Sequence, residues 1–269
     1  MGRLRSSSGL PGRSSTRACS ARSRMRCRRW TRSRHRSSPG SWAARAASGG
    51  SGRAHNLPGV AGAFGGWRGD FKGFFLGLRA NNNKAWFDAH RRQYDEEVKA
   101  PLVALLADLE TEFGPPRRVS RPNRDIRFSA DKSPYKLNIY ADCVRGGYVS
   151  LDAEGLVAAG GRYMVDDAQL KRLRDAIAAD RSGKELVGIV AALRKKGYEV
   201  EGQELKRVPP PYPQDHPRAD LLRHKRLFYW RRWPVEPWIA TARARERVAQ
   251  VWRDGKDLEA WMARHLDRD

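Results

Sequence analysis

From Asp70 onward the apolar residues recur at helical spacing. Phe71, Phe74, Phe75 and Leu78 fall at i, i+3, i+4 and i+7, with Asp70 placed to cap the first turn. Asn81-Asn82-Asn83 breaks this helix and caps the next, in which Trp86, Phe87, His90, Tyr94 and Val98 share a face. Pro101 is expected to end or kink it, because its ring clashes with the carbonyl one turn back. Leu102, Leu105, Leu106, Leu109 and Phe113 continue the apolar face until Gly114-Pro115-Pro116 stops it. The period then falls to that of a strand. In 136–144, Leu137, Ile139, Ala141 and Cys143 alternate with Lys136, Asn138, Tyr140 and Asp142. Turn signals at Gly146-Gly147 and Glu154-Gly155 divide off two further strands, 148–153 and 156–159, and three short strands joined by tight turns make an antiparallel meander.

After Gly160-Gly161 the helical period returns. Asp166 or Asp167 caps a helix carrying Leu170, Leu173 and Ile177, and Ser182 is the expected cap of a second with Leu186, Ile189, Val190 and Leu193, stopped by Gly197. Two more strands are expected at 198–200 and 227–233, separated by a Pro-rich loop and a short helix near 217–224. The C-terminus is helical again through Trp238, Ile239, Ala242, Ala249 and Trp252, then Leu258, Trp261, Met262 and Leu266. Helices before and after a run of antiparallel strands define an α+β fold: N-terminal helices, a β-meander and C-terminal helices. No repeat of solenoid length is present.

Composition changes this picture only at the N-terminus. The chain has 269 residues and a formal charge of +23, from 53 Lys+Arg against 30 Asp+Glu. Residues 1–55 hold 14 Arg and no Lys, Asp or Glu, so +9 is left for the rest. They also lack Ile, Val, Phe, Tyr, Asn and Gln, and such a segment cannot bury enough apolar surface to offset the entropy of ordering it. We therefore expect a disordered Arg/Ser-rich extension at 1–55, a Gly-rich linker at 56–69 and a single α+β domain at 70–267. The extension reads as GC-rich upstream DNA translated from an early start, as a basic arm that binds nucleic acid weakly through counterion release, or as a targeting segment. The last lacks the apolar stripe that targeting requires. A mean hydropathy of −0.73 and the absence of a long apolar run argue against a membrane span, and a cytoplasmic location is expected.

The densest polar segment off any helix face is 121–136. Arg124, Arg127, Lys132 and Lys136 supply cationic donors and Ser129 and Ser133 supply hydroxyls, while Asp125 and Asp131 can hold the cations in place. With Tyr135, these residues are the candidate site for a small anionic or polar ligand. The alternative at the same residues is an Arg–Asp lattice that merely pins a loop. A hydrolase using Asp125 or Asp131 as its working carboxylate is a second possibility, and a nucleic-acid-binding strand at 223–233, where base and aromatic interleave, is a third.

Other constellations carry less. His90, His216, His224 and His265 lack metal-ligand spacing, and Cys143 alternates onto the apolar strand face, so zinc is not expected. Gly62–Gly66 and Gly146-Gly147 have neither the lysine nor the strand-to-helix setting of a phosphate-cradling loop, and no cofactor is expected.

The string from Arg124 to Lys136, Arg-Asp-Ile-Arg-Phe-Ser-Ala-Asp-Lys-Ser-Pro-Tyr-Lys, is long enough to be specific. Together with Asn82-Asn-Lys-Ala-Trp-Phe87, Tyr94, Pro101 and Gly160-Gly161, it resembles the bacterial and fungal family called domain of unknown function 2461. The resemblance runs from about Phe71 to about Leu266. It implies one α+β domain of roughly 200 residues that excludes residues 1–55, and it implies no activity.

Overall fold

Asp70 opens the first described helix as expected. Its carboxylate accepts from the Gly73 amide (2.8 Å), and α1 (Phe71–Ala80) buries Phe71, Phe74, Phe75 and Leu78. Asn83 caps α2 (Lys84–Ala89) through the Trp86 amide at 2.9 Å. A short turn, α3 (Arg91–Gln93), then runs into a π-helical stretch at Tyr94–Lys99 and on into α4 (Ala100–Phe113). The widened turn answers the clash expected of Pro101: the helix neither ends nor breaks, because the wider stretch just before the proline absorbs the misfit. Gly114 at φ 75° ends α4 in a conformation that glycine adopts without steric cost.

The computed structural model describes residues 63–267 apart from Gly146 and Gln203. All described residues belong to one compact unit. The expectations for residues 1–55, and for 56–62 of the linker, lie outside the described residues. Residues 63–69, assigned above to the linker, behave otherwise. Phe64 and Trp67 are buried, the Phe64 amide donates to Asp108 Oδ2 (2.9 Å), the Trp67 amide donates to the Ile239 carbonyl (3.0 Å), and the indole donates to the Val98 carbonyl (3.2 Å). Polar and glycine-rich surroundings hid two aromatic anchors.

Six strands form one antiparallel sheet: β1 (Pro116–Val119), β2 (Asn138–Cys143), β3 (Tyr148–Asp152), β4 (Gly155–Arg162), β5 (Glu199–Glu201) and β6 (Leu227–Trp233), in the order β1-β2-β3-β4-β6-β5. The meander and the 227–233 strand stand as expected. Strand β1 was not expected, since Pro115-Pro116 reads as a helix stop, yet proline is tolerated as the first residue of an edge strand. Strand β4 also runs on through Gly160-Gly161, read above as a boundary. Glycine is required there by close approach: a Cβ on Gly160 would lie 2.3 Å from the Tyr229 hydroxyl.

The registers place Ile139 beside Leu151, Leu151 beside Leu156, Ala141 beside Val149 and Val149 beside Ala158, one apolar row after another. These rows belong to the core together with Leu105, Leu109 and Phe113 of α4, Val248 and Trp252 of α8 (Arg243–Asp254), and Leu258, Trp261 and Met262 of α9 (Lys256–Leu266). Full burial of each large side chain contributes about 1.5–3 kcal/mol. Phe113 meets Trp252 edge-on at 5.1 Å, which locks α4 to α8.

Between the sheet's two halves, α5 (Asp167–Ala178) begins with a capping box between Asp166 and Gln169. The second helix, α6 (Asp180–Lys195), starts two residues before the Ser182 expected to cap it. The Ser182 hydroxyl instead donates back to the Ala176 carbonyl at 2.6 Å. A short helix, α7 (Ala219–Leu222), precedes β6 as expected, and residues 237–240 form a 3-10 turn rather than the start of α8.

Candidate functional site

The segment between β1 and β2 is an irregular hairpin. Its arms are zipped by the Ser120 amide on the Tyr140 carbonyl (2.8 Å), the Lys136 amide on the Pro122 carbonyl (2.8 Å) and the Arg124 amide on the Pro134 carbonyl (2.7 Å). Its tip is a turn in which the Ser129 amide donates to the Ile126 carbonyl at 3.3 Å. The root is clamped from a distant element. Asn82 accepts from the Tyr135 amide and donates to the Tyr135 carbonyl, both at 3.0 Å, and the buried Tyr135 ring stacks on Phe87 with centroids 4.1 Å apart. A side-chain amide that replaces a β-ladder partner in this way needs one donor and one acceptor side by side, which only Asn and Gln offer.

The candidate residues divide between root and tip. Tyr135 belongs to the root, and so does Lys136, whose ammonium donates to the carbonyls of Arg121 and Asn123, each at 2.5 Å. Arg124 crosses the hairpin, pairing with Asp131 and donating to the Ser133 carbonyl and the Ser129 hydroxyl, each at 3.3 Å. Asp131 also accepts from the Ser133 hydroxyl (2.6 Å) and amide (2.9 Å). Nearer the tip, Asp125 takes a forked pair of bonds from Arg127, at 3.1 and 2.9 Å, while Lys132 reaches only the Ile126 carbonyl at 3.2 Å.

The hydroxyl and amide of Ser133, joined by the Arg124 guanidinium, hold the Asp131 carboxyl well below its ordinary value of 3.8. A depressed carboxyl contributes stability above its unfolded value and loses it as the pH falls through the folded one. We therefore expect Asp131 to remain ionised in acid that protonates ordinary exposed aspartates. Carbon-detected NMR titration should find its midpoint below theirs, with Ser133→Ala moving it back up, and an ordinary midpoint in the unaltered protein would refute the arrangement. A carboxylate this acidic has no proton to lend near neutral pH.

Two residues absent from the sequence-derived site matter to this geometry. Asn82 was legible as a helix breaker and as part of a family string but not as a clamp, because its partner is 53 positions away. Phe128 stood in the polar string without a role, yet it is 91% exposed at the tip. Its signal was present: a phenylalanine flanked by Arg127 and Ser129 in a segment with no apolar period.

In the 223–233 stretch three arginines are engaged within the fold. Arg231 lies 4.5 Å over the Tyr198 ring and donates to the carbonyl of Gly197 (3.4 Å) and to that of Lys196. Arg232 pairs with Asp152 (2.9 Å), and Arg223 pairs with Asp220 (2.7 Å). Two shallow depressions open near this strand, one lined by Glu199, Trp230 and Arg232 and one by Trp238 and Arg243, and neither includes a hairpin residue.

The described histidines are engaged in packing or hydrogen bonding. His90 stacks on Trp86 at 3.9 Å, His265 packs on Trp261 at 4.7 Å, His216 accepts from the Arg218 amide at 3.0 Å, and burial lowers the pKa of His224. Burial pushes the Cys143 thiol up to about 12, so little reactive thiolate forms at neutral pH. Among the described residues no group of three His, Cys, Asp or Glu could hold a metal, and no helix is long and apolar enough to cross a membrane.

The model of a family described as "Conserved hypothetical protein (DUF2461)" matches residues 70–261, about seven-tenths of the chain. The chain belongs to that family. The match spans the hairpin, its Asn82 clamp and the whole sheet, so the site described above lies within the DUF2461 domain. No curated protein and no solved structure matches the chain. The family description states no activity, and the chemistry of the DUF2461 hairpin has to be argued from its own residues.

Proposed function

We propose that the DUF2461 domain binds an anionic or polar ligand through the 121–136 hairpin. The carrying observation is a surplus of cations, most of them held by bonds within the hairpin. Five of them, Arg121, Arg124, Arg127, Lys132 and Lys136, share the hairpin with only two carboxylates, Asp125 and Asp131. Arg124 and Arg127 use those carboxylates as struts. Among the described residues Lys132 and the exposed Arg121 face no carboxylate within ion-pair distance, and Arg127, though braced by Asp125, has a largely exposed side chain, so all three are placed to meet a charge from outside. Groups held in place before the ligand arrives lose less entropy on binding it.

A hydrolytic role for Asp125 or Asp131 draws less support, since both carboxylates are committed to guanidinium partners. The binding reading is tested by thermal shift of the full chain against phosphate, nucleotides and sugar acids. We expect at least one to raise the melting temperature, and Lys132→Ala and Arg127→Ala to abolish the rise while melting like the unaltered protein, because exposed cations carry little folding energy. If no compound shifts the unaltered protein and both variants unfold, the hairpin is a structural lattice alone.

A further inference from the structure

The tip of the hairpin sets the most exposed large apolar side chain among the described residues beside a cation. Phe128 is 91% exposed, the Arg127 guanidinium lies 5.9 Å from its ring centroid, and Arg127 is itself forked onto Asp125. The ring is thereby offered on a short scaffold of fixed parts, one face toward the guanidinium and the other open. Lys132 stands four residues on, with its ammonium donating to the Ile126 carbonyl on the tip turn.

We propose that this tip binds single-stranded nucleic acid, with a base stacked on the open face of Phe128 and neighbouring phosphates met by Arg127 and Lys132. The proposal rests on the anion-binding reading and gives it a ligand class. An aromatic face with flanking cations is the minimal unit of sequence-tolerant single-strand binding, since every base has a π-face and every nucleotide a phosphate. A duplex hides its base faces and is disfavoured. An anionic membrane is disfavoured for a different reason: one aromatic ring is a marginal anchor, and Asp125 and Asp131, three residues to either side of Phe128, would be carried toward the headgroups.

The test uses the full chain and an oligothymidylate of about 12 nucleotides containing 5-iodouracil, at elevated salt. Salt weakens the purely electrostatic binding expected of residues 1–55 far more than it weakens stacking. Photocrosslinking followed by mass spectrometry should place an adduct on the peptide 128–132, and Phe128→Leu should remove it and lower affinity about tenfold. Lys132→Ala and Arg127→Ala should each flatten the salt dependence by about one unit of slope.

Adducts confined to residues 1–55 or 223–233 would overturn the proposal. So would Phe128-dependent binding to phosphatidylserine vesicles without an adduct at the tip. If phosphate still shifts the melting temperature through Lys132 while the tip takes no adduct, the anion-binding reading stands and the nucleic-acid assignment falls. If neither occurs, both fall.

Discussion

Trp67→Ala is expected to cost about 3–5 kcal/mol, the range for truncating a large buried aromatic. The indole is 1% exposed, meets Phe64 edge-on at 5.1 Å and donates to the Val98 carbonyl in the π-helical stretch, so the substitution opens a cavity and removes a buried hydrogen bond. For a domain near 200 residues each kcal/mol moves the melting temperature about 2–4 °C, which predicts a fall of about 6–20 °C. Gly66 beside it admits no side chain: at φ 96°, a Cβ would lie 2.1 Å from the backbone of Ala240. Removing residues 1–56 should leave the melting temperature of the full chain in place, and extending the deletion through Gly69 should lower it at least as far as Trp67→Ala. Scanning calorimetry of the three proteins decides the matter. If Trp67→Ala melts with the unaltered protein, the anchor is unimportant and the domain begins at Asp70.

The second large effect is expected at Arg218. This guanidinium is 7% exposed at the junction of α5 and α6, where it donates to the carbonyls of Ile177 (2.6 Å) and Ala178 (2.7 Å) and to Asp180 at 3.3 Å. The two carbonyls lie at the C-terminal end of α5, where intrahelical partners run out, and a planar fork satisfies both at once. Arg218→Met keeps much of the apolar stem but strands both acceptors, at about 3 kcal/mol or more in total. Asp180 is largely exposed, so Asp180→Ala should leave stability nearly unchanged even though it removes the ion pair with Arg218. Urea unfolding of the two variants separates these readings. Equal midpoints would mean that the ion pair, rather than the carbonyl bonds, is what Arg218 supplies.

Much of the fold was legible wherever local chemistry and tertiary context agree. The 227–233 strand, the Asp70, Asn83 and Asp166 caps and the buried faces of α1 and α4 all follow from spacing and side-chain type. The misreadings share one cause, a contact from far along the chain that outweighs a local signal. Ser182 looked like a cap, but the junction before it is fixed by Arg218. Gly160-Gly161 looked like a boundary, but glycine is needed because Tyr229 crosses there. Phe64 and Trp67 looked like parts of a linker, and their partners are Asp108, Val98 and Ile239. At the candidate site the cations and carboxylates could be read from the string, whereas their division into a clamped root and a self-braced tip could not. That division depends on Asn82 and Phe87, which precede the string by dozens of residues.

The same division sets how the hairpin breathes. Its root shares Asn82, Tyr135 and Phe87 with the aromatic packing of α1 and α2, so amides there should exchange with deuterium only when that packing opens. The bonds at the tip, from Arg124 to Ser133, are made almost wholly within the hairpin and can open and reclose without disturbing anything beneath. A ligand seated on the tip should therefore slow exchange over 124–133 and leave 82–90 as they were. A ligand of the kind proposed would thus tighten the tip with almost no change in the spectrum of the folded domain, and among bulk measurements its binding would register in the melting temperature alone.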